Sequence, residues 1–429
     1  MTLVPLSKRP SDDAVSDPGP PFGHLMPPVV LAGLSAVAAI VWIVAGDVLP
    51  GGRWVAIHLF TLGVLTPLVA TFSLHFGAGV LNADRASTRW VLLGLAGGAA
   101  MVLVGLPGGW PWLIAIGATI ASVAVFVAYL QLRRMRKGTE QDRFRFVVRG
   151  YERAHGAFLH GALLGALLGI GVLPGEWYWG VRLAHLHVNV LGWAGVTLLA
   201  TLVFFGPTVF RTKIADGAEE GARTAVRVGA TAVTVAAAAL IATGFGGAAA
   251  TASRLVAAVA IAAFLAGAVV VVRPVLAASR RAWERSLSTL FIRDAAIWFC
   301  LGIAIDVAAV ASGTWRWLDP AGLAVLVGGL VTAILGAVTY MAPMVLVVGA
   351  DPRRRLRERI EAGASTRAWV MRLSVAALVV TAAAGASLGE IGSVTASIGW
   401  AGVIGSLVAQ VGLVVSGVIG PGSRSRSTR

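Results

Sequence analysis

Six of the seven histidines in this chain of 429 residues fall in three short stretches: His58 and His75, His155 and His160, and His185 and His187. His24 stands apart in a polar, proline-containing stretch and is read as carrying no site. Each of the three stretches lies in an apolar run long enough to cross a bilayer, where an ionisable side chain is costly and marks function by default. Neutral imidazole is the commonest metal-ligating side chain, and heme iron can take one from each side. The chemistry on offer is therefore metal or heme ligation. The other reading of an intramembrane histidine is a hydrogen bond between helices.

Depth sorts the six. At 1.5 Å per residue, His58, His185 and His187 all lie about 6–9 Å inside the same end of their helices. His160 falls near the middle, His155 in the opposite third, and His75 about 25 Å below His58. Only His58, His185 and His187 converge without distortion. In His185-Leu186-His187 the two rings point about 200° apart on a helix and cannot bind one metal from one face. They can serve partners on opposite sides, so the expectation is that His58 and His187 face each other across a heme, with His185 turned to a second heme or a copper ion. His75, His155 and His160 read first as interhelical hydrogen bonds and second as ligands of a further metal.

The elements that must position these rings are membrane spans. Apolar residues make up 57% of the chain and charged residues 13%, with a mean hydropathy of +0.82. A soluble domain carries about a quarter charged residues, so the water-soluble, disordered and coiled-coil classes are excluded. The single cysteine, Cys300, excludes a disulfide framework, a four-cysteine zinc site, an iron–sulfur cluster and a covalent heme motif. Twelve apolar segments emerge: 28–49, 54–79, 89–106, 111–132, 149–173, 181–210, 224–244, 254–272, 290–311, 321–348, 369–388 and 393–420. The expected fold is an all-α polytopic membrane protein of twelve transmembrane helices, with a polar arm at 1–27 and a basic tail at 421–429.

The net charge of +15 suggests nucleic acid until its placement is considered. Of the 35 Lys and Arg, 31 fall in alternate loops and only Arg53, Arg182, Arg254 and Arg316 in the others. This asymmetry predicts a plasma-membrane protein with both termini cytoplasmic, its arginines meeting lipid headgroups and not nucleic acid. The arginine-poor hinges carry Trp54, Trp110, Trp112, Trp177, Trp179, Trp315 and Trp317, an interfacial belt.

A repeat underlies the histidines. His58-x4-Gly63 in the second segment reappears as His187-x4-Gly192 in the sixth and Leu323-x4-Gly328 in the tenth, with Pro207 and Pro343 each 15 residues after the glycine. Each step is four segments, which predicts three units of four helices. Glycine at that place lets a flat ring or another helix approach closely.

The stretch from Ala184 to Pro207 resembles the His-x-His helix of heme-copper oxidase subunit I, above all that of cbb-type oxidases, at His185, His187, Leu191, Gly192, Trp193 and Pro207. The resemblance implies a twelve-helix bundle in three arcs, heme b, low-spin ligation by His58 and His187, and a high-spin heme on His185. Copper in that family takes three further histidines, and segments seven to twelve contain none. The architecture and the histidine-rich early helices also resemble the NnrS family, which implies heme and copper in nitric oxide related metabolism, with a small gaseous ligand and an electron donor or quinol as partners. The alternative is a twelve-span permease without heme, for which Gly79-x4-Asp84-Arg85 is the loop motif and Asp306 in the ninth segment the proton-coupling candidate.

Overall fold

The computed structural model describes residues 23–140, 142–282 and 285–419; most of the arm at 1–27 and all of the tail at 421–429 lie outside the described residues. Each of the twelve segments is a helix, and no strand occurs among the described residues. The helices are α1 (Gly23–Ala45), α2 (Gly52–Leu81), α3 (Arg89–Gly105), α4 (Pro111–Lys137), α5 (Arg145–Ile170), α6 (Gly175–Phe210), α7 (Ala218–Phe245), α8 (Gly247–Arg280), α9 (Leu287–Ser312) and α10 (Trp315–Leu346). A short α11 (Ala350–Ile360) then precedes α12 (Ala364–Ala384) and α13 (Gly389–Ile419). The protein is an all-α polytopic membrane protein.

Among the described residues, nine stretches are long and apolar enough to cross a membrane, the last of them running through α12 and α13 together. The short α3 falls below that length, and α5 is interrupted at its arginine-rich end by Arg145, Arg149, Glu152 and Arg153. Glu152 is not left bare: Arg136 of α4 donates to it through Nε at 2.6 Å and a terminal nitrogen at 3.0 Å, a bidentate pair joining the two helices. The glycines that weaken α3 as a span are its packing surface. A Cβ on Gly98 would lie 2.6 Å from the Gly117 carbonyl oxygen of α4, so the two backbones nearly touch.

The three units are visible in the backbone. A π-helical stretch interrupts α2 at Leu59–Leu65, α6 at Val188–Gly195 and α10 at Ala324–Val331. Each begins one residue after the head of its x4-Gly frame. The wide turns leave carbonyls that Thr66 and Thr332 reach, donating to Thr61 and Val327 five residues back at 2.8 and 3.0 Å. The frame glycine faces the first helix of its own unit every time. A Cβ on Gly63 would meet Ser35 of α1 at 2.6 Å, on Gly192 Ala157 of α5 at 2.8 Å, and on Gly328 Trp298 of α9 at 2.7 Å. Another helix, then, uses the space these glycines leave. Among the described residues the two non-glycine positions with left-handed backbone, Asn82 and Arg211, end α2 and α6 and stand at the same offset from His58 and His187.

The second helices of the units contact one another. Phe76 of α2 packs on Phe205 of α6 (ring centres 5.7 Å), and Phe205 packs edge-on against Tyr340 of α10 (5.8 Å). At the tryptophan-rich end Arg53 of α2 donates to Asp319 of α10 at 2.9 Å. With lipid as apolar as leucine, close packing and interhelical hydrogen bonds supply this cohesion. The sequence did not predict α11, where a basic loop was expected. Its Leu356 and Ile360 are buried against Leu413 and Val418 of α13, and its Arg359 donates to the Ser416 carbonyl of α13 at 2.8 Å.

Candidate histidine centre

Five histidines share one local device. The Nδ1 of His58 donates to the Trp54 carbonyl (2.9 Å), His155 to Tyr151 (2.7 Å), His160 to Gly156 (2.8 Å), His187 to Leu183 (2.8 Å), and His185 across helices to Gly161 of α5 (2.8 Å). A carbonyl only accepts, so Nδ1 carries the hydrogen and the lone pair of a neutral ring sits on Nε2. What Nε2 meets decides what each residue can do.

His58 and His185 are brought together. Their ring centres are 6.4 Å apart with planes 14° from parallel. Both residues are half-buried, and neither Nε2 has a hydrogen-bond partner among the described residues. Trp54 stacks on His58 at 3.9 Å and 22°, which fixes the ring from one side. His185 is seated by α5: a Cβ on Gly165 would lie 2.7 Å from its Cε1, so only glycine admits the ring there. Asn189, one turn on, donates to the His185 carbonyl at 2.8 Å and closes the wall.

His187 does not face His58. It points the other way, is fully buried, and holds Asp306 of α9 at 2.9 Å from Nε2 to the carboxylate. Both of its nitrogens are engaged. The ring of the His-x-His pair that faces His58 is that of His185 and not, as expected, that of His187, and Asp306 is a paired interior carboxylate. The 200° separation within His-x-His holds, but it leaves open which ring faces α2; the rotation of α6 decides that.

The remaining three separate. His155 is fully buried with its ring edge-to-face with Trp193 (4.7 Å, 85°), and its Nε2 is a buried atom without a partner. His160 is exposed on the outer face of α5. His75 meets His24, whose Nε2 lies 3.2 Å from His75 Nδ1, at the arginine-rich end. His24, set aside in the sequence, thus belongs to a pair; nothing in its spacing announced that. Among the described residues no group of three or more His, Cys, Asp or Glu side chains is placed to hold a metal ion. No protein-family model matches this chain, and no characterised protein is significantly similar to it.

Proposed function

We propose that this is an integral membrane heme b protein in which His58 and His185 ligate one iron, and that it carries electrons within the bilayer. The facing of these two imidazoles carries the assignment. Two imidazoles on opposite sides of one metal, each bound at about 2 Å, set their ring centres about 6–6.5 Å apart. The observed 6.4 Å matches that separation, and both rings keep Nε2 for the purpose. Their Nδ1–H bonds to carbonyls fix the tautomer and raise the basicity of the ligating nitrogen.

The donor set favours a tetrapyrrole. Bare zinc or copper draws three or more donors from protein, whereas the pair here supplies two, with no third among the described residues. A macrocycle that brings four nitrogens of its own needs two. Such a group supplies one-electron redox chemistry at a potential set by its axial ligands. With an imidazole on each side, no position is left for a gas, which favours electron transfer over nitric oxide binding or oxygen reduction. The chain contributes a site about one turn inside the tryptophan-rich end, with Trp54 between the pair and the interface. The basic-residue asymmetry supports a cytoplasmic placement of the arginine-rich end. The His187–Asp306 pair stands on the opposite face of α6 and holds α6 to α9.

The test is a visible spectrum of the purified protein with heme content per chain. A b-type spectrum is expected, lost in His58→Ala and in His185→Ala but kept in His187→Ala. A colourless protein from heme-replete cells, or loss of heme in His187→Ala with retention in His185→Ala, overturns the assignment.

A further inference from the structure

The two imidazoles of the candidate centre are held by different means. His185 is fixed by another helix: its Nδ1 donates to the Gly161 carbonyl of α5 at 2.8 Å, and the α5 backbone at Gly165 closes on the Cε1 edge of the ring. His58 makes its hydrogen bond within its own helix, donating to the Trp54 carbonyl one turn back at 2.9 Å. The last torsion of a histidine side chain is broad, and one hydrogen bond leaves the ring able to swing about the N–H···O line. The bond to Trp54 therefore fixes the tautomer of His58 but not the plane of its ring.

The indole of Trp54 supplies the missing constraint. Its centre lies 3.9 Å from that of the His58 ring, with the two planes 22° apart. At that spacing a swing of the imidazole drives its edge into the indole face, so the stacked orientation keeps the contact without overlap. The plane of His185 is 14° from that of His58, so α5 holds one ring of a near-parallel pair and Trp54 holds the other. Trp54 is half-buried at the tryptophan-rich end, where an interfacial role alone would ask for no stack on the residue one turn below.

We propose that Trp54 is a positioning residue of the heme site: its indole sets the plane of the His58 ring and so the near-parallel arrangement of the two axial imidazoles. This rests on the heme reading given above. An axial imidazole acts through the π orbital perpendicular to its own plane. Two parallel rings act on the same iron d orbital and split it from its partner, whereas two crossed rings act on one each and leave the pair close in energy. Ligand orientation held by surrounding groups is thus a lever on the electronic state of the iron, separate from ligand identity.

The test is low-temperature electron paramagnetic resonance of the oxidised full chain in detergent, with heme content measured on the same samples. The parent should give one rhombic low-spin signal, as parallel ligands require. Trp54→Leu keeps the backbone carbonyl and hence the Nδ1 bond; it should keep its heme while the largest g value moves upward and the signal broadens. Trp54→Phe, which retains an aromatic plate, should stay close to the parent. Trp179→Leu removes a tryptophan at the same end that packs on Trp315 instead, and should leave the signal unchanged. Parent g values in Trp54→Leu overturn the positioning role, as does an equal shift in Trp179→Leu, which would mark a general disturbance of the interface. If Trp54→Leu loses heme, Trp54→Phe decides: full heme with the parent signal supports the role, and loss in both overturns it in favour of plain packing. A parent chain without heme is a different failure, since it removes the heme reading itself and this role with it.

Discussion

Removing the partner of His187 should cost stability in a way that only a made contact explains. The Nε2–carboxylate distance is 2.9 Å, and the two side chains are 1% and 10% exposed. Because Nδ1 already donates to Leu183, a proton must lie between Nε2 and Asp306, so the pair is a charge-assisted bond. In water-soluble interiors, removing one member of such a pair costs about 3–5 kcal/mol. In lipid the unfolded helices find other partners, and measured interhelical couplings average about 0.6 and reach about 1.7 kcal/mol. The second reference state governs here, and full burial places this pair at the upper end. A cycle of His187→Phe, Asp306→Leu and the double variant should therefore give a coupling of about 1.5 kcal/mol, with the double variant less destabilised than the sum. Detergent-titrated unfolding of α6 against α9 in mixed micelles reads it. A coupling below about 0.5 kcal/mol would mean that the two side chains do not meet. Heme content measured on the same variants separates this role from ligation.

Two further outcomes follow from close contacts. Gly63→Ala places a methyl 2.6 Å from Ser35 and should destabilise by about 1–3 kcal/mol, with Ser35→Gly in the same chain restoring the melting temperature; unchanged melting of Gly63→Ala refutes the contact. Glu361, between α11 and α12, accepts from the Leu287 amide and from Ser288 Oγ at 2.9 Å, which ties α11 to the start of α9. Burial pushes its carboxyl above the ordinary 4.5 although those donors and Arg367 oppose the shift. A raised carboxyl stabilises the fold below the ordinary value and loses that contribution as pH rises through the folded one. Glu361→Gln should therefore melt progressively higher than the parent as pH goes from about 4.5 to 7.5, and a gap that does not move with pH refutes the assignment.

The helices were legible because membrane spans are set by length and apolarity alone. The x4-Gly frames were legible as positions, and they mark the onset of the three π-helical stretches, but the widened turn itself was not. A π turn depends on which carbonyls find partners such as Thr66 and Thr332, and that is settled by packing. Within His185-Leu186-His187 the opposed directions followed from helix geometry. Which ring met α2 did not, since a whole-helix rotation exchanges them without altering any spacing. Asp306 lies 119 residues from His187, so no local pattern joins them. His24 stayed hidden for the same reason: its partner is 51 residues on, and a polar neighbourhood carried no sign of it. The amphipathic α11 was obscured by its arginines, which read as loop until Leu356 and Ile360 are seen to lie on one face.

The widened turns are shared more widely than the histidines. A π-helical turn is one residue too many for an α-helix. The third unit keeps the turn at Ala324–Val331 with Leu323 where the other two carry His58 and His187. The wide turn therefore forms without an imidazole at its head, and it belongs to the four-helix unit and not to the ring that precedes it.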